Sequence, residues 1–272
     1  MVEGQRRRKV TTAAKAPAEP PAVLIEGLRK SFGRKPAVVD LSLVVPAGAF
    51  FGLVGPNGAG KSTTLRMTTG LLRPDAGRAS ICGQDVWSDP VGVKALLGLL
   101  TEDLRLFDRL SGSELLTYNG LLRQMPPEVI RARSEELLEV LDLAGARHTL
   151  VVDYSQGMRK KIALACALLH APRVLFLDEP FESVDPVSTR TIRTVLQRYT
   201  LGGGTVVFSS HVMETVERLC DHVAIMSAGR VVAAGPADEV RGGRRLEEIF
   251  FERVGARPDA PQGLEWLATS SD

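Results

Sequence analysis

The octapeptide Gly55-Pro56-Asn57-Gly58-Ala59-Gly60-Lys61-Ser62 constrains the fold more than any other stretch of the chain. It fits the pattern G-x-x-x-x-G-K-[ST], follows the apolar run Phe50-Phe51-Gly52-Leu53-Val54 and opens a helical stretch at Lys61. A loop of this kind works between an incoming strand and an outgoing helix, so the motif dictates a strand–loop–helix unit. The glycines let backbone N–H groups turn inward around a phosphate, where side chains would obstruct the approach. Lys61 supplies a point charge to β- and γ-phosphates. The Ser62 hydroxyl suits a Mg2+ ligand. A glycine turn that merely caps a helix needs neither residue.

Two more apolar strands come late, Val174-Leu175-Phe176-Leu177 and Thr205-Val206-Val207-Phe208. Short strand patterns, Val23-Leu24-Ile25 and Leu41-Ser42-Leu43-Val44-Val45, precede the loop. Buried strands separated by long crossovers predict an α/β domain with a largely parallel sheet. Between about 90 and 165 the pattern is almost purely helical. "SELLTYNGLLRQ" and "PEVIRARSEELLEVLDLAG" place leucines at three- and four-residue spacing, the second ending on Gly145 as a C-cap signal. A helical lobe inserted into an α/β core is the expectation. No internal repeat is visible. After Gly229 come a short strand, a helix near 245–254 and a polar tail over 255–272. The tail holds Gly263-Leu264-Glu265-Trp266-Leu267, to which no role is assigned.

With 272 residues and 44% hydrophobic content, the chain can bury a full core. A net charge of +2 does not suggest a nucleic-acid protein, whose basic excess is larger and clustered. Cys82, Cys166 and Cys220 are odd in number and in no metal-ligand spacing, as expected of reduced thiols in a cytosolic chain. No segment approaches the ~18 apolar residues of a membrane helix. Arg6-Arg7-Arg8-Lys9 has no apolar stretch behind it, so no secretory signal is read there. Residues 1–21, basic and then Ala-, Thr- and Pro-rich, are expected to form a disordered arm.

Three further features carry chemistry. The strand 174–177 ends in Asp178 and Glu179, and a buried strand does not end in paired acids without a counter-charge. Beside the phosphate loop, Asp178 can hold Mg2+ through water and Glu179 can act as base for an attacking water. His211 closes the strand 205–208 after Ser209-Ser210, at the sheet edge where open α/β folds bind ligands. It can donate to the γ-phosphate and position the water or Glu179. The third feature is Tyr154-Ser155-Gln156-Gly157-Met158, a helix start with Ser155 as N-cap and Gly157 keeping the first turn narrow. Arg159, Lys160 and Lys161 add positive charge to an end already positive by its dipole, so this is a second place built to meet an anion.

The order and spacing of these motifs resemble the nucleotide-binding domain of the ATP-binding cassette (ABC) family over about residues 23–254. The resemblance rests on "GPNGAGKST", "YSQGM", "VLFLDEP", "SVDP" and "SSH". It implies an α/β fold: a P-loop NTPase core with a mainly parallel central sheet, an inserted α-helical subdomain (about 90–165) and an antiparallel β portion at the N-terminal side. It implies ATP and Mg2+ as cofactors and hydrolysis at Glu179 with His211. Gly55, Asn57, Gly58, Ala59, Gly60, Lys61, Ser62 and Thr63 would hold the phosphates, and Phe32 in Ser31-Phe32-Gly33 would stack on adenine. In this family two subunits pack head to tail, so Ser155 and Gly157 would meet the γ-phosphate of the other subunit. That accounts for two anion sites in one chain. Asp185 would lie on the loop linking the two sites along the interface.

Three residues depart from the family pattern. The signature, most often Leu-Ser-Gly-Gly-Gln, differs at Tyr154, Gln156 and Met158. Glu102 stands where a glutamine usually senses Mg2+ and the transport partner; a carboxylate can ligate the metal but, when ionised, cannot donate a hydrogen bond. Glu182 replaces a small polar residue and adds negative charge.

"LFDRLSGSELL" with "YSQGM" resembles the branch that powers export through separately encoded membrane subunits. The implied partners are a second copy or paralogue of this subunit and an integral membrane permease, docked near 95–125, with no nucleic acid. The chain would sit peripherally on the inner face of the cell membrane. A competing class is a soluble cassette ATPase driving a cytosolic machine such as iron–sulfur cluster assembly. An ordinary P-loop kinase would leave the "YSQGM" helix and His211 unexplained.

Overall fold

Alternation of apolar and polar side chains sets the first hairpin. In the computed structural model, which describes residues 20–254, β1 (Val23–Phe32) and β2 (Lys35–Val45) pair antiparallel. Leu41, Leu43 and Val45 of β2 are buried while Asp40, Ser42 and Val44 face water, the mark of a sheet with one solvated face. Next come β3 (Phe50–Val54), the phosphate loop and α1 (Lys61–Thr68). Strands β4 (Ala76–Ile81) and β5 (Gln84–Asp85) then complete a four-stranded antiparallel sheet, ordered β2-β1-β4-β5.

The chain continues through α2 (Pro90–Leu96), β6 (Leu97–Leu100), α3 (Gly112–Leu122), α4 (Pro127–Val140), α5 (Gln156–Leu168) and β7 (Val174–Asp178). It ends with α6 (Pro186–Leu201), β8 (Thr205–Ser210), α7 (Met213–Leu219), β9 (His222–Ser227), β10 (Arg230–Pro236), α8 (Ala237–Arg241) and α9 (Leu246–Val254). The central sheet has the order β10-β9-β3-β8-β7-β6 and is parallel except for β10.

Its inner strands are buried on both faces, and successive side chains feed two different cores. Phe50, Leu175, Leu177, Val206 and Phe208 pack toward α3 to α7 and α9. Phe51, Leu53, Phe176 and Val207 pack toward α1, α2 and the antiparallel sheet. Burying one such aromatic or aliphatic side chain contributes about 1.5–3 kcal/mol.

Three local expectations are corrected. The stretch 90–165 is not purely helical, because Leu97–Leu100 is the edge strand of the central sheet, paired with β7. A four-residue apolar run reads equally as strand or helix, and only the neighbouring strand decides. Gly145 is not a C-cap. Helix α4 stops at Val140, Asp142 takes the left-handed position (φ 54°), and Leu143 N–H reaches the Leu138 carbonyl at 2.8 Å. That is a Schellman closure with Asp in the usual glycine place; Gly145 falls in a later 3₁₀ turn. Finally, β9 is a sheet strand that the sequence pattern did not single out. The basic arm, except Pro20 and Pro21, and the tail with Trp266 lie outside the described residues.

Candidate active site

Parallel register brings the motifs to one edge. Val54 pairs with Ser210 and Asp178 with Ser209, so the loop after β3, the acids ending β7 and His211 after β8 converge. Leu100 pairs with Leu177, which carries Glu102 to the same edge. A cavity of about 430 Å³ lies there, and Gly55, Ala59 and Asp178 are not among the residues that line it. Asn57, Gly58, Gly60, Lys61, Ser62 and Thr63 of the loop and α1 line it, together with Glu102, Glu179, Glu182 and His211. Phe32, Lys35, Pro36 and Ala37 of the first hairpin line it too. Phe32 is 54% exposed, so it is not a core residue but an unburied aromatic among those lining the cavity.

The loop is shaped by close approach. Gly60 holds φ 101°, and a Cβ there would stand 2.5 Å from the Ala37 carbonyl oxygen. Gly60 caps α1 without a side chain, and the first intrahelical bond runs from Thr64 N–H to the Gly60 carbonyl. The N–H groups of Lys61, Ser62 and Thr63 are thus those a helix start leaves without intrahelical partners. Ala59 is buried beneath the loop, and Gly55 N–H donates to the Ser210 carbonyl at 3.3 Å, tying the loop to β8. Lys61 is 6% exposed; its Nζ donates to the carbonyls of Gly55 (2.8 Å) and Pro56 (3.3 Å).

The acids divide into two environments. Asp178 Oδ1 accepts hydrogen bonds from Ser62 Oγ at 3.0 Å and Ser209 Oγ at 2.6 Å. Ser62 Oγ and Asp178 Oδ1 are oxygen donors of the kind a hard divalent cation prefers, and Glu102 lines the same cavity, so the residue types fit Mg2+, while no three acids or histidines gather as a metal cluster among the described residues. Glu179 is buried, with Oε1 3.5 Å from Lys61 Nζ and Oε2 3.1 Å from His211 Nδ1. Burial raises its pKa above the ordinary carboxylate value, while His211 and Lys61 oppose the rise and Glu182 adds to it. Such a carboxylate, poised between an imidazole and an ammonium, is suited to taking a proton.

Ser155, Gly157 and Asp185 do not line this cavity. Ser155 caps α5 by accepting the Met158 N–H at 3.3 Å. Gly157 serves close packing more than turn width, since a Cβ there would lie 2.6 Å from both Asp185 Oδ2 and Ser188 Oγ. Asp185 caps α6, accepting the N–H groups of Val187 and Ser188. The three cations after the signature are engaged within the chain, contrary to the expectation that they strengthen an anion site. Arg159 pairs with Asp108 at 2.8 Å, Lys160 donates to the Glu179 carbonyl, and Lys161 donates to the Asp142 carbonyl at 3.2 Å.

Pattern reading missed Lys35, Pro36, Ala37 and Ser209. The first three open β2 directly after the Gly33-Arg34 turn, so the hairpin itself was the available signal. Ser209 was visible only as part of "SSH".

The ABC transporter family profile matches residues 38–182. Over 234 residues the chain is 38% identical to the daunorubicin resistance ATP-binding protein DrrA3 of Streptomyces coeruleorubidus, covering 85% of this chain and 74% of that one. It is 36% identical over 245 residues to the daunorubicin/doxorubicin resistance ATP-binding protein DrrA of Streptomyces peucetius, covering 89% and 74%. A solved ATP-binding subunit of an ABC transporter superposes with a TM-score of 0.80 at 28% identity, covering 86% of this chain and 99% of that one. A cassette fold with its phosphate loop, paired acids and histidine on one sheet edge, together with these matches, makes this chain a member of the ABC transporter family and an ATPase of its ATP-binding, DrrA-like branch.

Proposed function

We propose that the chain binds ATP with Mg2+ in the cavity and hydrolyses it within a head-to-tail dimer, powering export through a separately encoded membrane subunit. Lys61 and the free N–H groups of the loop and α1 hold the phosphates. Ser62, Asp178 and Glu102 would hold the metal, which when bound would neutralise phosphate charge. Glu179 accepts the proton of the water that attacks the γ-phosphorus; as that O–P bond forms, the bond to the bridging oxygen breaks and ADP leaves, the γ-phosphoryl group becoming inorganic phosphate. His211 orients Glu179 and faces the γ-phosphate.

One observation carries the dimer. The Ser155-capped start of α5 stands exposed and lines no part of its own cavity, so its anion-binding end is available to the nucleotide of a second subunit. Asp185, packed on Gly157, then lies at that interface. Export is supported by the relatives named for drug resistance. An exposed apolar surface on the helical lobe, with Phe107 and Tyr118 edge to face at 4.9 Å and Leu121 and Leu122 open, supports docking of a permease. No helix among the described residues is long and apolar enough to cross a membrane, so attachment at the inner face would come through that partner.

Co-purification of the tagged chain from its native membranes in mild detergent tests this reading. A polytopic membrane protein at equal stoichiometry is expected. A soluble scaffold, with nothing retained in the membrane fraction, would overturn the transport role.

Nucleotide selectivity follows from the exposed Phe32. Stacking on a base contributes about 0.5–1.5 kcal/mol, whereas each charged phosphate hydrogen bond contributes about 1.5–3 kcal/mol and there are several. GTP is therefore expected to compete with ATP within about tenfold, since stacking is tolerant of the base. Failure of excess GTP to displace bound ATP in a competition assay would contradict this.

A further inference from the structure

Lys160 lies one turn into α5 and is only 3% exposed, a rare position for an ammonium. Its Nζ donates to the main-chain carbonyl of Glu179 at 2.9 Å. Glu179 holds φ 46°, a left-handed conformation that residues with a Cβ seldom adopt. Such a backbone persists only where its surroundings over-determine it.

The surroundings do so from several elements. The Glu179 N–H donates to Ser209 Oγ at 3.0 Å, from β8. Its carbonyl accepts the Glu182 N–H at 3.3 Å, closing the turn that contains Pro180, and accepts Lys160 from α5. The carboxylate then reaches His211 and Lys61. Desolvation pulls the Lys160 pKa down, and Glu182 leads the carboxylates, with Glu102, Asp178 and Glu179, that oppose the fall.

We propose that Lys160 is a positioning residue for Glu179: its hydrogen bond to the Glu179 carbonyl holds the left-handed backbone that aims the carboxylate at His211 and Lys61. Lys160 itself does not line the cavity. The role rests on Glu179 being the base of the hydrolytic reaction. A lysine that only filled space would be replaced by methionine without kinetic consequence.

Steady-state ATP hydrolysis by the full chain, alongside equilibrium ATP binding and thermal melting, tests this with Lys160→Met and Lys160→Arg. Lys160→Met keeps the stem and loses the donor. It is expected to lower kcat at least about tenfold while KM and ATP affinity stay within about twofold. Lys160→Arg, which retains a charged donor, is expected to recover kcat to within about threefold of native. Native kcat in Lys160→Met overturns the positioning role. So does a parallel loss of kcat, ATP affinity and melting temperature that Lys160→Arg fails to recover. Glu179→Gln, run alongside, separates the premises. If that variant turns over like the native chain, the base assignment and the positioning role fall together. If it is inactive while Lys160→Met is native, the positioning role alone fails.

Discussion

Glu179→Gln is expected to lower ATP turnover by about 10²–10⁴-fold, the range of general-base contributions, while leaving ATP bound. Glutamine has nearly the shape of glutamate and can still meet His211 Nδ1, which lies 3.1 Å from Oε2. It cannot take a proton from water. Because burial raises the Glu179 pKa, the ionised form is disfavoured in the fold relative to the unfolded chain. The folded state carries that cost above the raised pKa and is relieved of it as the pH falls below. Glutamine carries no such cost, so the variant is not expected to melt earlier than the native chain near neutral pH. The same raised pKa predicts that native turnover declines on acidification at a pH above the ordinary carboxylate range. With the base removed and ATP retained, the closed state has no hydrolytic exit, and an ATP-bound dimer accumulates. Turnover and size-exclusion elution in saturating ATP and Mg2+ check both parts. Native turnover would contradict the base role, and monomeric elution would contradict the sandwich.

Lys61→Ala is expected to weaken ATP binding by about 10- to 150-fold, the equivalent of one charge-assisted hydrogen bond of about 1.5–3 kcal/mol. The side chain is buried and lines the cavity with its charge already facing Glu179 and the loop carbonyls, so its loss cannot be made good by water alone. The variant also removes an ammonium 3.5 Å from the carboxylate, one of the groups that oppose the rise of the Glu179 pKa. Affinity and residual turnover should therefore fall together, unlike the pattern for Glu179→Gln. Titration of ATP into the purified chain, read by calorimetry, checks it. Binding within about threefold of native would show that loop N–H groups supply nearly all of the phosphate affinity.

Much of the site was legible because its parts are local. The strand–glycine loop–lysine unit, the acids ending an apolar strand and "SSH" each announce themselves within a dozen residues, and β7 and β8 formed where their patterns placed them. The strand Leu97–Leu100 was hidden because its apolar run is too short to show a period. That same strand delivers Glu102 to the cavity. The charges at 159–161 were legible as charge, yet their destinations were not. Arg159 turns to Asp108, Lys161 to Asp142, and Lys160 to a carbonyl nineteen residues on.

The sequence by itself determined which chemistry-bearing groups this chain carries: a glycine loop ending in Lys61 and Ser62, the carboxylates that end an apolar strand and a helix start capped by Ser155. Tertiary structure alone decided how these groups are aimed, because each decisive neighbour arrives from a different crossover of the sheet. Ser209 and Lys160 meet Glu179 only when β8 and α5 pack beside β7, and Gly157 meets Asp185 only when α5 packs on α6. Local periodicity specifies which face of an element is buried, but the partner across that face is chosen by packing.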